Sequence, residues 1–377
     1  MDKKVGGSNM ILKKTLTLNQ YIFIINGIQV GTGVLSLPRV VAEKAGTDGW
    51  IAILIGWLCC MFSSACLIKA MQTIPHHSPQ EFFIKIFGKY VGSTFIIIYT
   101  LYFLIYYWVV MMNSILFIKG WFLPHTSEWV VFILLSIPTY MIVYKGRESV
   151  GKYCELIFYM TLWIPICFFI PYSDGNILNL LPIMKTGILP ILQTIPSTLF
   201  SFLGFEMCIF LYPYLQQPKY ALRGVFIANT LTMIFYLFTT LVCFYIFGSD
   251  TIVNFTQPVL DLLKQIEFRF LERFDLVLLL FYLLIVSTSW ISFLYGSLLL
   301  INPTEKAPSL SYQSLTIIII GSILITILPP TWTQSEQYQK WISYVGIGIV
   351  YFFSLFLWIY LKSILFKNRR NLCSKEK

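Results

Sequence analysis

The chain has 377 residues, 57% of them apolar or aromatic and only 12% charged, with a net charge of +10. A soluble domain averages about 45–50% apolar and about 25% charged residues, so almost none of this chain can fold in water. The apolar excess falls in runs such as Ile51–Ile68, Gly92–Phe117, Leu276–Ile301 and Tyr344–Leu361. A helix needs about 20 such residues to cross a bilayer, where its backbone must satisfy itself. The runs lack the alternation of barrel strands, so the expected fold class is all-α integral membrane.

In chain order, the first 17 residues form a basic tail (Lys3, Lys4, Lys13, Lys14) with no signal-peptide cleavage pattern, so the first span is expected to be an uncleaved anchor. Ten spans follow, at roughly 18–45, 48–72, 91–118, 128–144, 151–172, 187–215, 222–247, 274–301, 311–328 and 341–366, and 367–377 is a basic tail. Only the first and sixth look interrupted. Between spans, Pro79–Lys89 reads as an amphipathic helix with Phe82, Phe83, Ile86 and Phe87 on one side, and Pro258–Phe270 as a helix on the opposite face. With an inside N-terminus, inner segments carry nineteen Lys and Arg and outer ones eight, which places both termini in the cytoplasm. The positive charge therefore orients the chain in the bilayer; no nucleic-acid partner is expected.

Gly31-Thr32-Gly33 lies within the first span. Paired glycines weaken a helix by about 1 kcal/mol each, and an unwound turn offers backbone N–H groups beside the positive end of the next half-helix, a setting that suits a carboxylate. Gly27 with Gly31 also makes a small-xxx-small pair, which often does no more than pack helices closely. The sixth span is interrupted by Pro196 and, within Phe202-Leu203-Gly204-Phe205-Glu206, by Gly204 and Glu206. Thr32 and Gly204 stand close to half the chain apart, and two broken helices at matching places point to a transporter-type site in a five-plus-five inverted repeat, with repeats at about 18–172 and 187–366.

Glu206 is the deepest acid, and an ionisable group in mid-membrane is a functional candidate; the alternative is a carboxyl bonded to a neighbouring helix. Glu155 reads as an interfacial charge paired with Lys152. Tyr99, Tyr102 and Tyr106 share one face of the third span, either lining a pocket or packing. Ser287-Thr288-Ser289 could offer oxygens to a ligand or cation, or bond back to their own helix. The eight cysteines read as apolar fillers. Histidines occur only in connectors, no Cys/His set has zinc spacing and no phosphate-cradling loop is present, so neither enzyme chemistry nor any metal or cofactor is expected.

Leu18-Asn19-Gln20, the Gly31-Thr32-Gly33-Val34-Leu35 stretch with Pro38, and Ala45-Gly46-Thr47-Asp48-Gly49-Trp50 resemble the opening of the B subunits of spore germinant receptors, permease-like members of the amino acid–polyamine–organocation superfamily. Pro258–Glu267 and the Lys367-Asn368-Arg369-Arg370 tail are similar too, and Gly204-Phe205-Glu206 resembles amino acid permeases more broadly. The resemblance implies a ten-helix LeuT-type fold with helices 1 and 6 broken. It also implies a spore inner-membrane receptor, working with A and C subunits, that binds a small germinant such as an amino acid. The ligand would meet Gly31, Thr32 and Gly33, be framed by Phe202, Leu203, Gly204 and Phe205, and lie near Glu206, with Tyr102, Tyr106, Ser287 and Thr288 on the other two helices. Some transporters of the superfamily carry a coupling lysine in the fifth helix; Tyr153–Ile170 has none. The rival readings are a secondary amino acid transporter acting alone, and a scaffold with a vestigial pocket.

Overall fold

A computed structural model describes residues 15–73, 78–168, 170, 175–182, 184, 187–266, 273–302, 307–327, 329 and 331–373. Among them all regular structure is helical: α1 (Leu18–Gln29), α2 (Leu37–Ala45), α3 (Gly49–Gln72), α4 (Pro79–Phe87), α5 (Lys89–Trp121), α6 (Glu128–Val143), α7 (Arg147–Thr161), α8 (Ile164–Cys167), α9 (Ile188–Ser201), α10 (Met207–Leu211), α11 (Ala221–Phe247), α12 (Ser249–Ile252), α13 (Pro258–Lys264), α14 (Phe274–Ile301), α15 (Ala307–Ile327), α16 (Trp332–Ile347) and α17 (Phe353–Cys373). Six stretches, among them Leu37–Gln72 (α2 with α3) and Trp332–Ser363 (α16 into α17), are long and apolar enough to cross a membrane, and α6 with α7–α8 passes the same test as a pair bent by 118°. The first and sixth spans fall short of that test because they are broken, as α1/α2 and α9/α10.

Two further interruptions were not expected. The fifth span unwinds at Leu162 and Trp163, just ahead of Pro165, which has no N–H to give to the preceding turn. The tenth contains a π turn over Gly348–Phe352 between α16 and α17; its two freed regions are tied down by Tyr99, whose hydroxyl donates to Ile349 O at 3.2 Å, and by Tyr351, which donates to Leu199 O at 3.0 Å. The tenth span also begins earlier than the apolar run, at Trp332, because Thr331 caps a polar first turn by accepting from Gln334 N–H.

Helix α1 is the centre of the molecule. Thr17 and Gln20 form a capping box that starts it, and every residue from Gln20 to Gln29 is buried. A helix buried all round can sit only inside a bundle; α7, α11 and α14 enclose it. Helices α5 and α14 pack along each other through aromatic faces, including Tyr106 on Phe293 at 4.8 Å between ring centroids.

The connectors do more than join spans. A Ser78–Glu81 capping box with Pro79 at the first turn starts α4. Phe82 and Phe83 are buried, Phe83 against Tyr99, Phe210 and Phe353, so this helix plugs one end of the bundle. Gln80 donates to Leu299 O and Leu300 O and so caps the end of α14. At the opposite end, fully buried Asp48 accepts from Met184 N–H at 2.7 Å and Thr47 donates to Pro182 O, so the Ala45–Trp50 motif pins the connector ahead of α9. The connector helix α13 is shorter than expected, Pro258–Lys264, and 267–272 lie outside the described residues. Glu155 and Lys152 do not form the expected pair, whereas Arg39 pairs with Glu43, Lys119 with Glu128, Lys264 with Asp261 and Arg273 with Asp275.

Candidate ligand site between the two broken helices

At the first break α1 stops at Gln29, Gly31 is extended, and a single 3-10 turn over Thr32–Leu35 leads into α2. Of the three amides expected to face a ligand, that of Gly31 is already used, donating to Gln29 O at 2.8 Å. Those of Thr32 and Gly33 open the 3-10 turn and find no backbone acceptor. Thr32 and Gly33 line a cavity of about 430 Å³. A Cβ added to Gly33 would meet only Phe200, at 4.0 Å, whereas one on Gly27 would lie 2.6 Å from Thr288 Oγ1. Gly27 is therefore the packing glycine, and Gly33 keeps space open.

The second break runs through Phe202–Glu206 as turns. Gly204 has φ +111°, and a Cβ there would sit 2.2 Å from Ile28 Cγ2, so the two broken helices touch where only glycine fits. Glu206 is fully buried. Its Oε2 accepts from Gly204 N–H and its Oε1 from the Tyr102 hydroxyl, each at 2.8 Å. The carboxylate thus braces its own break and ties it to α5.

The expected residues do not converge on one surface. Thr32 and Gly33 line the cavity, with Phe200 and Ser201 at the end of α9. Phe202, Leu203, Gly204, Phe205 and Glu206 lie behind it, buried in the core. Tyr106 is buried against Tyr102 and Phe293, its hydroxyl unpartnered. Ser287 shares a hydrogen bond with Tyr153 at 2.5 Å, and Thr288 and Ser289 donate to Gly27 O, with Ser289 also reaching Ile28 O. These hydroxyls stand in for the hydrogen bonds that the end of α1 loses.

A buried polar network missed in the sequence completes the support. Gln29 Nε2 donates to Phe202 O and Asn229 Oδ1, both at 3.0 Å, while its Oε1 accepts from Thr232. Asn229 donates on to Ser64, Asn26 donates to Thr232, and Tyr236 donates to Gln29 O and Ser201 O. Carbonyls freed by both breaks are thereby bonded through α11. The available signal was spacing: Asn26 with Gln29, and Asn229 with Thr232 and Tyr236, put polar groups on one face of otherwise apolar helices.

Above the unpaired amides the cavity widens between Asn113 and Ser114 of α5, Arg39, Glu43 and Lys44 of α2, and Glu336 and Lys340 of α16. Arg39 pairs with Glu43 at 3.3 Å, and Lys44 reaches Gln193 O and Ser197 Oγ at 3.4 Å. Mixed charge at the mouth and neutral donors at the floor suit a small polar molecule. Among the described residues no group of His, Cys, Asp or Glu could hold a metal ion.

The family model described as spore germination protein matches residues 15–331. The chain belongs to that family. Curated relatives agree: Spore germination protein YndE of Bacillus subtilis is 28% identical over 78% of this chain and 83% of its own length. Spore germination protein GerQB of Bacillus cereus is 23% identical over 89% and 93%, and Spore germination protein A2 of Bacillus subtilis 25% over 92% and 96%. Among solved structures, the substrate-bound outward-open state of a Na+-coupled sialic acid symporter superposes with a TM-score of 0.52, covering 94% of this chain and 76% of that one at 12% identity. At that identity the likeness speaks to fold: this spore germination protein has the architecture of a transporter with helices 1 and 6 broken.

Proposed function

We propose that this chain is the ligand-sensing subunit of a spore germination receptor, and that it binds a small carboxylate-bearing germinant, most simply an amino acid. One observation carries the reading: Thr32 and Gly33 present unpaired backbone donors at the floor of a cavity bounded by both broken helices. A carboxylate accepting two N–H bonds gains charge-assisted hydrogen bonds without requiring a buried cation. The charged mouth would pass a zwitterion. Binding there bears on the contact between α1 and the α9/α10 break, which the Gln29 network and Glu206 hold in one arrangement. A ligand that prefers one arrangement shifts the population of states, and receptor A and C subunits would read that shift in the spore inner membrane. On this reading both termini are cytoplasmic and the cavity opens outward.

A thermal-shift screen of amino acids on the detergent-solubilised chain tests the site. A binder at a hundred times its Kd stabilises by about 2.7 kcal/mol, and the shift should vanish in Gly33→Val. No shift with any amino acid would remove the proposed site. Uptake of the bound amino acid into proteoliposomes containing this chain alone would instead identify an independent transporter.

A further inference from the structure

A second cavity, of about 370 Å³, lies behind the first break, between α1, the α7–α8 bend, α11 and α14. Its wall is mainly apolar, with Phe23, Ile157, Phe158, Phe235 and Ile285. The rim is formed by Leu162, Ile166 and Ile234, which are 52%, 67% and 55% exposed. Apolar side chains so exposed on membrane spans face hydrocarbon, so the cleft opens to the bilayer and not to water. Its room comes from the unwinding of the fifth span at Leu162 and Trp163.

One polar group on the wall is incomplete. Asn26 is only 7% exposed; its Nδ2 donates to Thr232 Oγ1 at 2.9 Å, and its Oδ1 accepts from no described residue. The other polar side chains are engaged: Thr161 donates to Ile157 O, Thr288 to Gly27 O, and Cys154 meets Ser292. An acceptor left without a donor on the wall of an apolar, lipid-open cleft is costly, and an incoming O–H recovers that cost.

We propose that this cleft binds a free alkyl chain ending in a hydroxyl, the hydroxyl donating to Asn26 Oδ1 and the chain lying against Phe23, Ile157 and Phe235. The volume falls within the range of small-molecule sites, about 300–1,000 Å³. A phospholipid tail enters methyl first and leaves Asn26 unmet, so the occupant is a free amphiphile dissolved in the bilayer. Since Asn26, Gly27 and Val30 form its inner wall, the occupant touches the back of the broken segment whose front carries Thr32 and Gly33.

The test uses the full chain in nanodiscs and a photoreactive diazirine analogue of 1-octanol. Labelling should saturate and map to the α1, α7 and α11 residues of the cleft. At equal concentration in the bilayer, 1-octanol should compete roughly tenfold better than n-octane, the worth of one hydrogen bond to an acceptor in an apolar cleft. Ile234→Trp, a change on the lipid-facing rim, should block the mouth and lower labelling by a similar factor. Asn26→Leu should abolish the preference for octanol over octane; if that variant does not fold, the octanol–octane comparison on the unaltered chain and Ile234→Trp decide. Labelling that never saturates and spreads over all lipid-facing helices, equal competition by octane, or unchanged labelling of Ile234→Trp would each overturn the proposal.

Discussion

Gly27 and Gly33 stand on the same interrupted span and lack side chains for different reasons. Thr288 presses on Gly27, while Gly33 faces space that ends at Phe200. Gly33→Val should therefore insert and assemble normally yet lose ligand-triggered germination, and Gly27→Val should reduce abundance. Immunoblotting of spore membranes, with germination normalised to subunit level, separates the two; a normal response from Gly33→Val would remove the backbone site. Glu206 calls for a different experiment, because both its oxygens are engaged within the protein. Glu206→Gln replaces one of the two oxygens that accept from Gly204 and Tyr102 by an NH2 group, which leaves one of those donors facing another donor. A buried polar group left unmet costs about 1–3 kcal/mol, so a clear fall in melting temperature is expected, with a smaller one for Tyr102→Phe. The two changes should be less than additive in a double-mutant cycle. Glu206 was legible as an acid in an apolar span, but its partner Tyr102 was not, because it stands on a helix distant in sequence.

Broken helices survive in a membrane only if other groups bond the carbonyls they release. Here Tyr236 of α11 donates to Gln29 O and Ser201 O, Thr288 and Ser289 of α14 donate to Gly27 O, and Asn229 and Thr232 of α11 hold the Gln29 side chain that donates to Phe202 O. Gln29→Leu removes donors from Phe202 O and Asn229 Oδ1 together. Each buried acceptor left unmet costs about 1–3 kcal/mol, so this variant should show low abundance and a lower melting temperature. Asn229→Leu added to Gln29→Leu should cost less than it does alone, as expected for partners in one network; full additivity would show that the two act separately. The interruptions themselves were readable from Gly31, Gly33, Pro196 and Gly204. The elements that stabilise them were not, since a single Asn or Thr on a long apolar helix looks the same whether it bonds a neighbour or its own preceding turn.

The bundle has two chemically distinct ends. One is plugged by α4 and its phenylalanines, the other holds the cavity mouth with Arg39, Lys44 and Lys340 and the short helices α12 and α13. On the proposed reading, in which an excess of Lys and Arg marks the inner face, the α4 side is expected to be cytoplasmic. Single cysteines placed in 145–152 should react with impermeant maleimide only after permeabilisation, and cysteines in 250–256 without it. Labelling in the reverse order would invert the molecule and place the cavity mouth inside.

Composition alone determined that this protein lives in a membrane, because no soluble fold buries so much apolar surface with so few charges. Spacing of apolar runs and of Gly and Pro marked the breaks at Gly31–Gly33 and Phe202–Glu206, which are local properties of a helix, but not the unwinding at Leu162 and Trp163 or the π turn at Gly348–Phe352. Tertiary structure alone decided which polar groups remain free. Gly31 spends its amide on Gln29, Glu206 is taken up by Tyr102 and Gly204, and Thr288 is drawn to Gly27, which leaves the amides of Thr32 and Gly33 as open backbone donors on the cavity. A sequence names donors and acceptors, but which of them find each other depends on contacts between helices far apart in the chain, and a ligand can use only what those contacts leave over.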